Sequence, residues 1–433
     1  MEPFVSLSEA ARQPFDPDRT LADLGRQALA ELGREFMLHG HLQDRVGLPR
    51  VLQRLGEQGL TRVSIEEWMA ASPIYSKRMQ RALRFEGDGI DTLFKNLQLD
   101  IGAPHQFMEI RFDLEGPRRG EFWLECCGPL LDVEPFGEQR VRLMCHDVED
   151  PTFDATAAAT HPCAKVRPIH RPPRVPATRI PHCRWEAFID EQSVAFEPHP
   201  NLQRVGASRV ARLALRPAAK TGEPGGWADY AGPFDPEFQL EDLSHEALVT
   251  VARELCVQSH LLARSFLLSV SQHLGPEAVP EIASQQWTGI AGLTAERLYR
   301  AMGLEDSDLE TLAKVFQLHP VFHPREYVDF RVEIQDGGLR LGFRDSPAFG
   351  EGDALSWLAQ LRSEPHPALD AIARAVDPRA STLPARTRSD ERLAFRVEVD
   401  PTATPAPEDP NVRLGKVSGG ARLVLHPRRP LRD

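Results

Sequence analysis

Six cysteines stand in this 433-residue chain, and five of them fall in one stretch: Cys126, Cys127, Cys145, Cys163 and Cys183. They are interleaved with His146, His161, His170 and His182 and with acids at Glu149, Asp150 and Asp154. Thiolate, imidazole and carboxylate are the donor set of zinc and other first-row metals. Cys145-His146 is expected to close one strand and His182-Cys183 to open another. Two strand ends feeding one loop would bring Cys145, His170 and Cys183 together as metal ligands. Cys126, Cys127, Cys163, His161 and His182 are secondary candidates. No compact Cys-x2-Cys pair is matched by a second, so the metal reading rests on the crowding of ligand types. Zinc is the expected divalent metal, with iron as the alternative. Glu149, Asp150 and His146 are the proton-transfer candidates beside it. Arg167, Arg171 and Arg174 lie on a loop stiffened by Pro168, Pro172, Pro173 and Pro176. Guanidinium forks there suit a substrate carboxylate or phosphate. The plainer alternative is a set of small buried thiols and a solvated basic loop paired with surface acids.

The chain contains its own control for these assignments. Residues 28–99 align without a gap onto residues 247–318 at an offset of 219, with 22 of 72 positions identical. Among them are Arg34/Arg253, Glu35/Glu254, His41/His260, Gly56/Gly275, Trp68/Trp287, Arg78/Arg297 and Gln98/Gln317. Such a period marks an internal duplication. Past the ungapped block the offset falls to 216 and then 210, where Cys145 meets Leu361, His146 meets Arg362, Cys163 meets Arg379 and Cys183 meets Leu393. Asp154 and Pro162, by contrast, persist as Asp370 and Pro378. The ligand candidates belong to one copy only. His41, Trp68 and Asp154 survive in both, which assigns them to the scaffold, with Asp154 expected as a helix cap. The pairs Arg34-Glu35 and Arg253-Glu254 suit a helix surface or an interdomain contact.

The elements that must position these residues follow a repeated plan. Leu21 to about Gly56 carries helical spacing with a break near Gly40, and Ser64 with Glu67 forms a capping-box pattern opening a helix around Trp68. Further helices are expected over Ser76–Phe85 and Ile90–Leu97. Alternation over Phe107–Leu114 and Glu121–Cys126 around a Gly/Pro turn predicts a hairpin, and Val141–Met144 and Arg184–Ile189 two more strands. The second copy repeats this, with helices from Leu243 to Phe316 and a hairpin at Tyr327–Ile334 and Leu339–Phe343. The expected fold is α+β: an N-terminal helical segment then a mainly antiparallel sheet in each copy, together an intrachain pseudo-dimer. The expected divisions are a loosely packed arm (1–20), a first repeat (21–205), a Pro/Gly-rich linker (206–240, chiefly Arg216–Gln239), a degenerate second repeat (241–400) and a Pro-rich tail (401–433) ending in Arg428, Arg429 and Arg432.

Charge and hydropathy bound the partners. A net charge of −12 argues against a general nucleic-acid binder. No apolar run is long enough to span a bilayer, and the acidic start is not a signal peptide, so a cytoplasmic protein with reduced thiols is expected. Homo-oligomerisation is open.

The order of helices, hairpin, Cys145, loop, and Pro181-His182-Cys183-Arg184 opening a final strand resembles the 4-vinyl reductase domain superfamily. That group takes in aromatic-sensing domains and, more distantly, L-2-amino-thiazoline-4-carboxylic acid hydrolase-like proteins. The resemblance implies a zinc ion beside a small-molecule pocket, with Cys145 as first ligand and Cys183 as last. The middle ligands differ here, and His170, then Cys163 or Glu149, stand in for them. Three functions remain in view. One is a metal-dependent enzyme with hydrolase- or lyase-type chemistry on a small organic acid or heterocycle, or, with non-haem iron, redox chemistry. The second is a small-molecule sensing module with structural zinc. The third is a scaffold in which the thiols share no site.

Overall fold

The computed structural model describes residues 6–218, 223–428 and 430–432. Two four-stranded antiparallel sheets each follow a helical segment. In the first repeat, α1 (Arg26–Leu42) and the long α2 (Asp44–Ala82) lead to α3 (Ile90–Leu97). The hairpin β1 (Met108–Gly116) and β2 (Arg119–Cys127) comes next, then α4 (Glu149–Ala158), β3 (Ala164–His170), β4 (Cys183–Ile189) and α5 (Pro200–Gly206). The second repeat runs α6 (His245–Leu274), α7 (Val279–Ala301), α8 (Leu309–Leu318), β5 (Phe330–Gln335) and β6 (Gly338–Phe343). It ends with α9 (Pro367–Arg374), β7 (Ala380–Pro384), β8 (Leu393–Val399) and α10 (Pro410–Gly415). The sheet orders are β1-β2-β4-β3 and β5-β6-β8-β7, so the α+β duplication holds in detail. No helix among the described residues is long and apolar enough to cross a membrane.

Local chemistry accounts for the shared breaks. Gly56 and Gly275, aligned at the offset of 219, both take a positive φ (68° and 89°), which a residue with Cβ resists. Each ends one helical segment and re-aims the next. Asp154 sits inside α4 rather than at its cap; its Oδ1 accepts the Val166 N–H of β3 at 3.0 Å. Asp370 accepts the Thr382 N–H at 2.7 Å in the same way. This retained aspartate therefore ties helix to strand.

The two halves exchange contacts about a pseudo-two-fold axis. Arg78 forks onto Glu254 (2.9 and 2.8 Å) and reaches the carbonyls of Ala211 and Leu213. Arg297 forks onto Glu35 (2.7 and 3.0 Å) and reaches Gly420 and Leu423. Arg26 donates to the Leu243 carbonyl and His245 to that of Leu24.

Two expectations about boundaries, for the linker and the arm, are corrected. The segment 216–239 is a packed strap rather than a free linker: Tyr230 stacks on Phe238 at 4.8 Å, and Gln98 donates to the Asp235 carbonyl. Positions 219–222 lie outside the described residues, so this holds for 216–218 and 223–239. From residue 6 the arm is packed too, with Leu7 buried and Gln317 donating to the carbonyls of Asp16 and Arg19. Pro14-Phe15-Asp16-Pro17 recurs as Pro233-Phe234-Asp235-Pro236 at the same offset of 219, so arm and strap are the true starts of the repeats, each pinned by the other repeat's matching strap-binding glutamine position. The tail after Pro401 is an ordered strap as well, Arg428 pairing with Glu109 at 3.0 Å; Arg429 lies outside the described residues.

Candidate functional site

The first repeat encloses a cavity of about 510 Å³ between the buried face of its sheet, α2 and the helical stretch before α4. Phe122, Leu124 and Trp185 form the sheet wall, while Leu414 and Val417 of the C-terminal tail close another side. Its floor is polar. Asp44, Ser64, Trp68, Tyr75 and Asp100 face it from α2 and the turn after α3. The Trp68 indole donates to Asp44 Oδ2 at 3.2 Å, and the Tyr75 hydroxyl donates to Asp100 Oδ1 at 2.8 Å. Behind Asp44 lies Glu67, 0% exposed, with neither carboxylate oxygen hydrogen-bonded; Asp44 Oδ1 is likewise without a partner. Arg45, the neighbouring cation, is held by Asp132 at 2.5 Å.

Burial disfavours charge on these acids. It pushes Asp44 up to about 7 and Asp100 up to about 6, and raises Glu67 well above the carboxylate range, with Asp44 adding to the effect. Glu149, on the opposite wall, is pushed up to about 8 by burial despite the nearby Arg171 charge. Burial thus raises the proton affinity of all four carboxyls, while Asp100 still accepts the Tyr75 hydroxyl.

Several sequence-based assignments need correction. Val141–Met144 is not a strand. A helix (Glu138–Arg142) runs into a wide π-type turn (Leu143–Val148) that carries Cys145, because a short apolar run does not distinguish strand from buried helix. The stretch read as a basic loop starts in β3, which holds Arg167, and continues as loop over Arg171 and Arg174, and its arginines are occupied. Arg167 pairs with Asp154 (2.8 Å), Arg171 with Asp150, and Arg174 with Glu134 (2.7 Å) while its Nη1 donates to His182. Asp150 is thus an ion-pair partner. His146 donates to the Pro172 carbonyl (2.6 Å), His161 accepts the Cys163 N–H, and His182 accepts the Cys127 N–H. His170 sits opposite Arg184 in the sheet register, near Arg179 as well. Ser64 lies mid-helix, donating to the Leu60 carbonyl, so it caps nothing.

Of the thiols, Cys127 and Cys183 line the cavity. Cys127, Cys145, Cys183 and Glu149 lie within electrostatic reach of one another, and all three thiols are raised chiefly by burial, Cys183 to about 12. Cys163 and half-buried Cys126 stand apart from that group, Cys163 against the Ser193 carbonyl. Among the described residues, no group of three or more histidine, cysteine or acidic side chains has the geometry of a metal site.

His41 and Trp68 line the cavity, although both are shared with the second repeat. The residues that sequence reasoning missed are Asp44, Glu67, Tyr75 and Asp100. The offset that removed the cysteines from the second copy also replaces these four, by Ala263, Gln286, Thr294 and His319. Comparison of the chain with protein-family models, with curated proteins and with solved structures gives no match.

Proposed function

We propose that the first repeat is a receptor site for a small, largely apolar molecule with one polar end, and that the second repeat is its filled structural counterpart. The single observation behind this reading is the cavity itself: about 510 Å³, apolar walls, and a floor where the buried Asp44 keeps a carboxyl oxygen without a hydrogen-bond partner. That volume lies within the range of ~300–1,000 Å³ typical of small-molecule sites. Burying carboxyls without donors is costly, and a site that binds its ligand through them offsets the cost only when occupied. Thermal unfolding of the whole chain with a panel of small aromatic probes tests it. At least one probe should raise the melting temperature, and Met144→Trp, which fills the cavity from its wall, should remove the shift. A panel without effect on the unblocked chain counts against the reading.

A second reading keeps a divalent metal at the thiol end, and one observation favours it: Cys127, Cys183 and Glu149 line the same cavity, with buried Cys145 close behind. Three thiols and a carboxyl suit zinc, or iron, with Glu149 and Cys127 in place of His170. Binding would release the thiol protons, so uptake should rise with pH. A metal there would supply a Lewis acid to a bound ligand, the route to hydrolase- or lyase-type chemistry. Elemental analysis of native protein and of Cys183→Ser decides: stoichiometric metal lost in the variant supports it, and metal-free native protein refutes it.

A further inference from the structure

The second repeat supplies a side chain of its own where the first repeat has space. Phe136 and Trp357 each stand four residues after an aspartate that pairs with the shared arginine, Asp132 with Arg45 at 2.5 Å and Asp353 with Arg264 at 3.1 Å, while Arg264 also meets Glu351, the residue the offset of 219 sets against Asp132, at 3.7 Å. Their placements differ. Phe136 lines the cavity yet is 67% exposed, whereas Trp357 is 2% exposed inside the second repeat. The Trp357 indole donates its N–H to Gln286 Oε1 at 2.9 Å. Its ring lies edge-on to His39 at 6.0 Å, and His39 meets Thr294 Oγ1 at 2.7 Å and the His319 ring at 5.7 Å. Gln286, Thr294 and His319 are the counterparts of Glu67, Tyr75 and Asp100. The positions that surround an indole in one repeat therefore form the floor of the cavity, or stand directly behind it, in the other.

Resting on the receptor reading above, we propose that the cavity takes a flat aromatic molecule bearing an N–H donor, neutral or cationic, in the role that Trp357 plays in the second repeat. The ring lies against Phe122 and Trp185, and the N–H is donated to the Asp44 carboxyl, with Glu67 directly behind it. Three unpartnered, buried carboxylate oxygens, both of Glu67 and Oδ1 of Asp44, need donors, and the described residues supply none. In the second repeat the equivalent demand is met internally, because Gln286 receives the Trp357 N–H and donates towards the Gln43 carbonyl. The cavity is larger than one indole needs, which leaves room for substituents towards Phe136 and Val417.

Calorimetric titration of the full chain with indole, 2-aminobenzimidazole and benzothiophene tests this, benzothiophene having the shape of indole without the N–H. Both N–H probes should bind about tenfold or more tightly than benzothiophene, the worth of one satisfied buried hydrogen bond. Asp44→Ala combined with Glu67→Met, which removes every side-chain acceptor of the pair, should cut 2-aminobenzimidazole affinity by about tenfold or more and move benzothiophene by less than about twofold. Ala already stands at the position of the second repeat that matches Asp44, and circular dichroism with thermal unfolding checks that the variant folds. If benzothiophene equals indole and the acid variant changes neither, the donor rule is overturned while the receptor reading stands. If no probe binds the unaltered chain, both fall together.

Discussion

The same backbone plan is used twice in this chain, and the two interiors solve opposite problems. In the first repeat, Asp44, Glu67, Asp100 and Glu149 surround or back an open cavity, and burial raises the proton affinity of each. In the second, Trp357 is buried against Gln286 and the ring of His39, and the buried histidines between the repeats are neutral: burial lowers His39 and His323 well below their usual range, His319 to about 3 and His260 to about 4. Those histidines are hydrogen-bonded, His319 to the Ala291 carbonyl and His260 to that of His323. Three of the acids' oxygens are not.

The sharpest break in this comparison is to exchange the fates of the two aromatic positions. Trp357→Ala should cost about 3–5 kcal/mol, since it empties a buried site and orphans Gln286. Phe136→Ala should stay within about 0.5 kcal/mol, because the ring is largely solvated. Urea unfolding of both variants measures this. Free indole should return part of the loss to Trp357→Ala by mass action, raising its melting temperature more than that of the unaltered chain. Equal costs for the two variants would mean that the repeats do not differ as described.

A smaller effect separates the halves by pH. Asp44 and Asp100 have folded pKa values above their unfolded ones, so the folded state binds more protons and their contribution is present at low pH and lost as pH rises through about 6 to 7. The histidines work the other way. With folded values near 3 to 4, their contribution is present above the unfolded value and lost as pH falls through the acid range. Asp44→Asn should therefore gain about 1–3 kcal/mol at pH 8 and nothing near pH 4, whereas His319→Gln should gain only below about pH 6. Unfolding free energies measured from pH 4 to 8 check both slopes. Parallel curves for the two variants would deny the opposite character of the interiors.

Much of this architecture was legible in the residues. Period-2 alternation marked β1 and β2, and Arg184–Ile189 marked all but the first residue of β4, because each has one buried and one wet face. The stretch Val141–Met144 misled because four apolar-rich residues carry no period. Arm and strap misled because proline and glycine mark both linkers and packed straps, and only the recurrence of Pro-Phe-Asp-Pro identifies them as repeat starts. The site was legible by the right filter applied to the wrong residues. Cysteines and histidines attracted attention by type, yet most satisfy backbone groups, as His146, His161 and His182 do. Asp44, Glu67 and Asp100 resemble ordinary helix and turn acids. What gives them consequence is the absence of a partner in space, which no spacing in the sequence records.

The smallest expected effect concerns the arginines once assigned to substrate. Arg171 pairs with Asp150, a partner 45% exposed at its side chain, and also lies 5.9 Å from the Trp185 ring centroid. Exposed pairs of this kind contribute about 0–1 kcal/mol, so Arg171→Ala should lower stability by no more than about 1 kcal/mol. The guanidinium charge opposes the rise at Glu149 and does not reach the floor acids. Binding of an N–H-bearing probe should thus change by less than about threefold, in contrast to the loss expected of the Asp44 and Glu67 pair. A probe carboxylate whose binding collapses in Arg171→Ala would reverse the polarity assigned to the cavity and return the basic strand to the site.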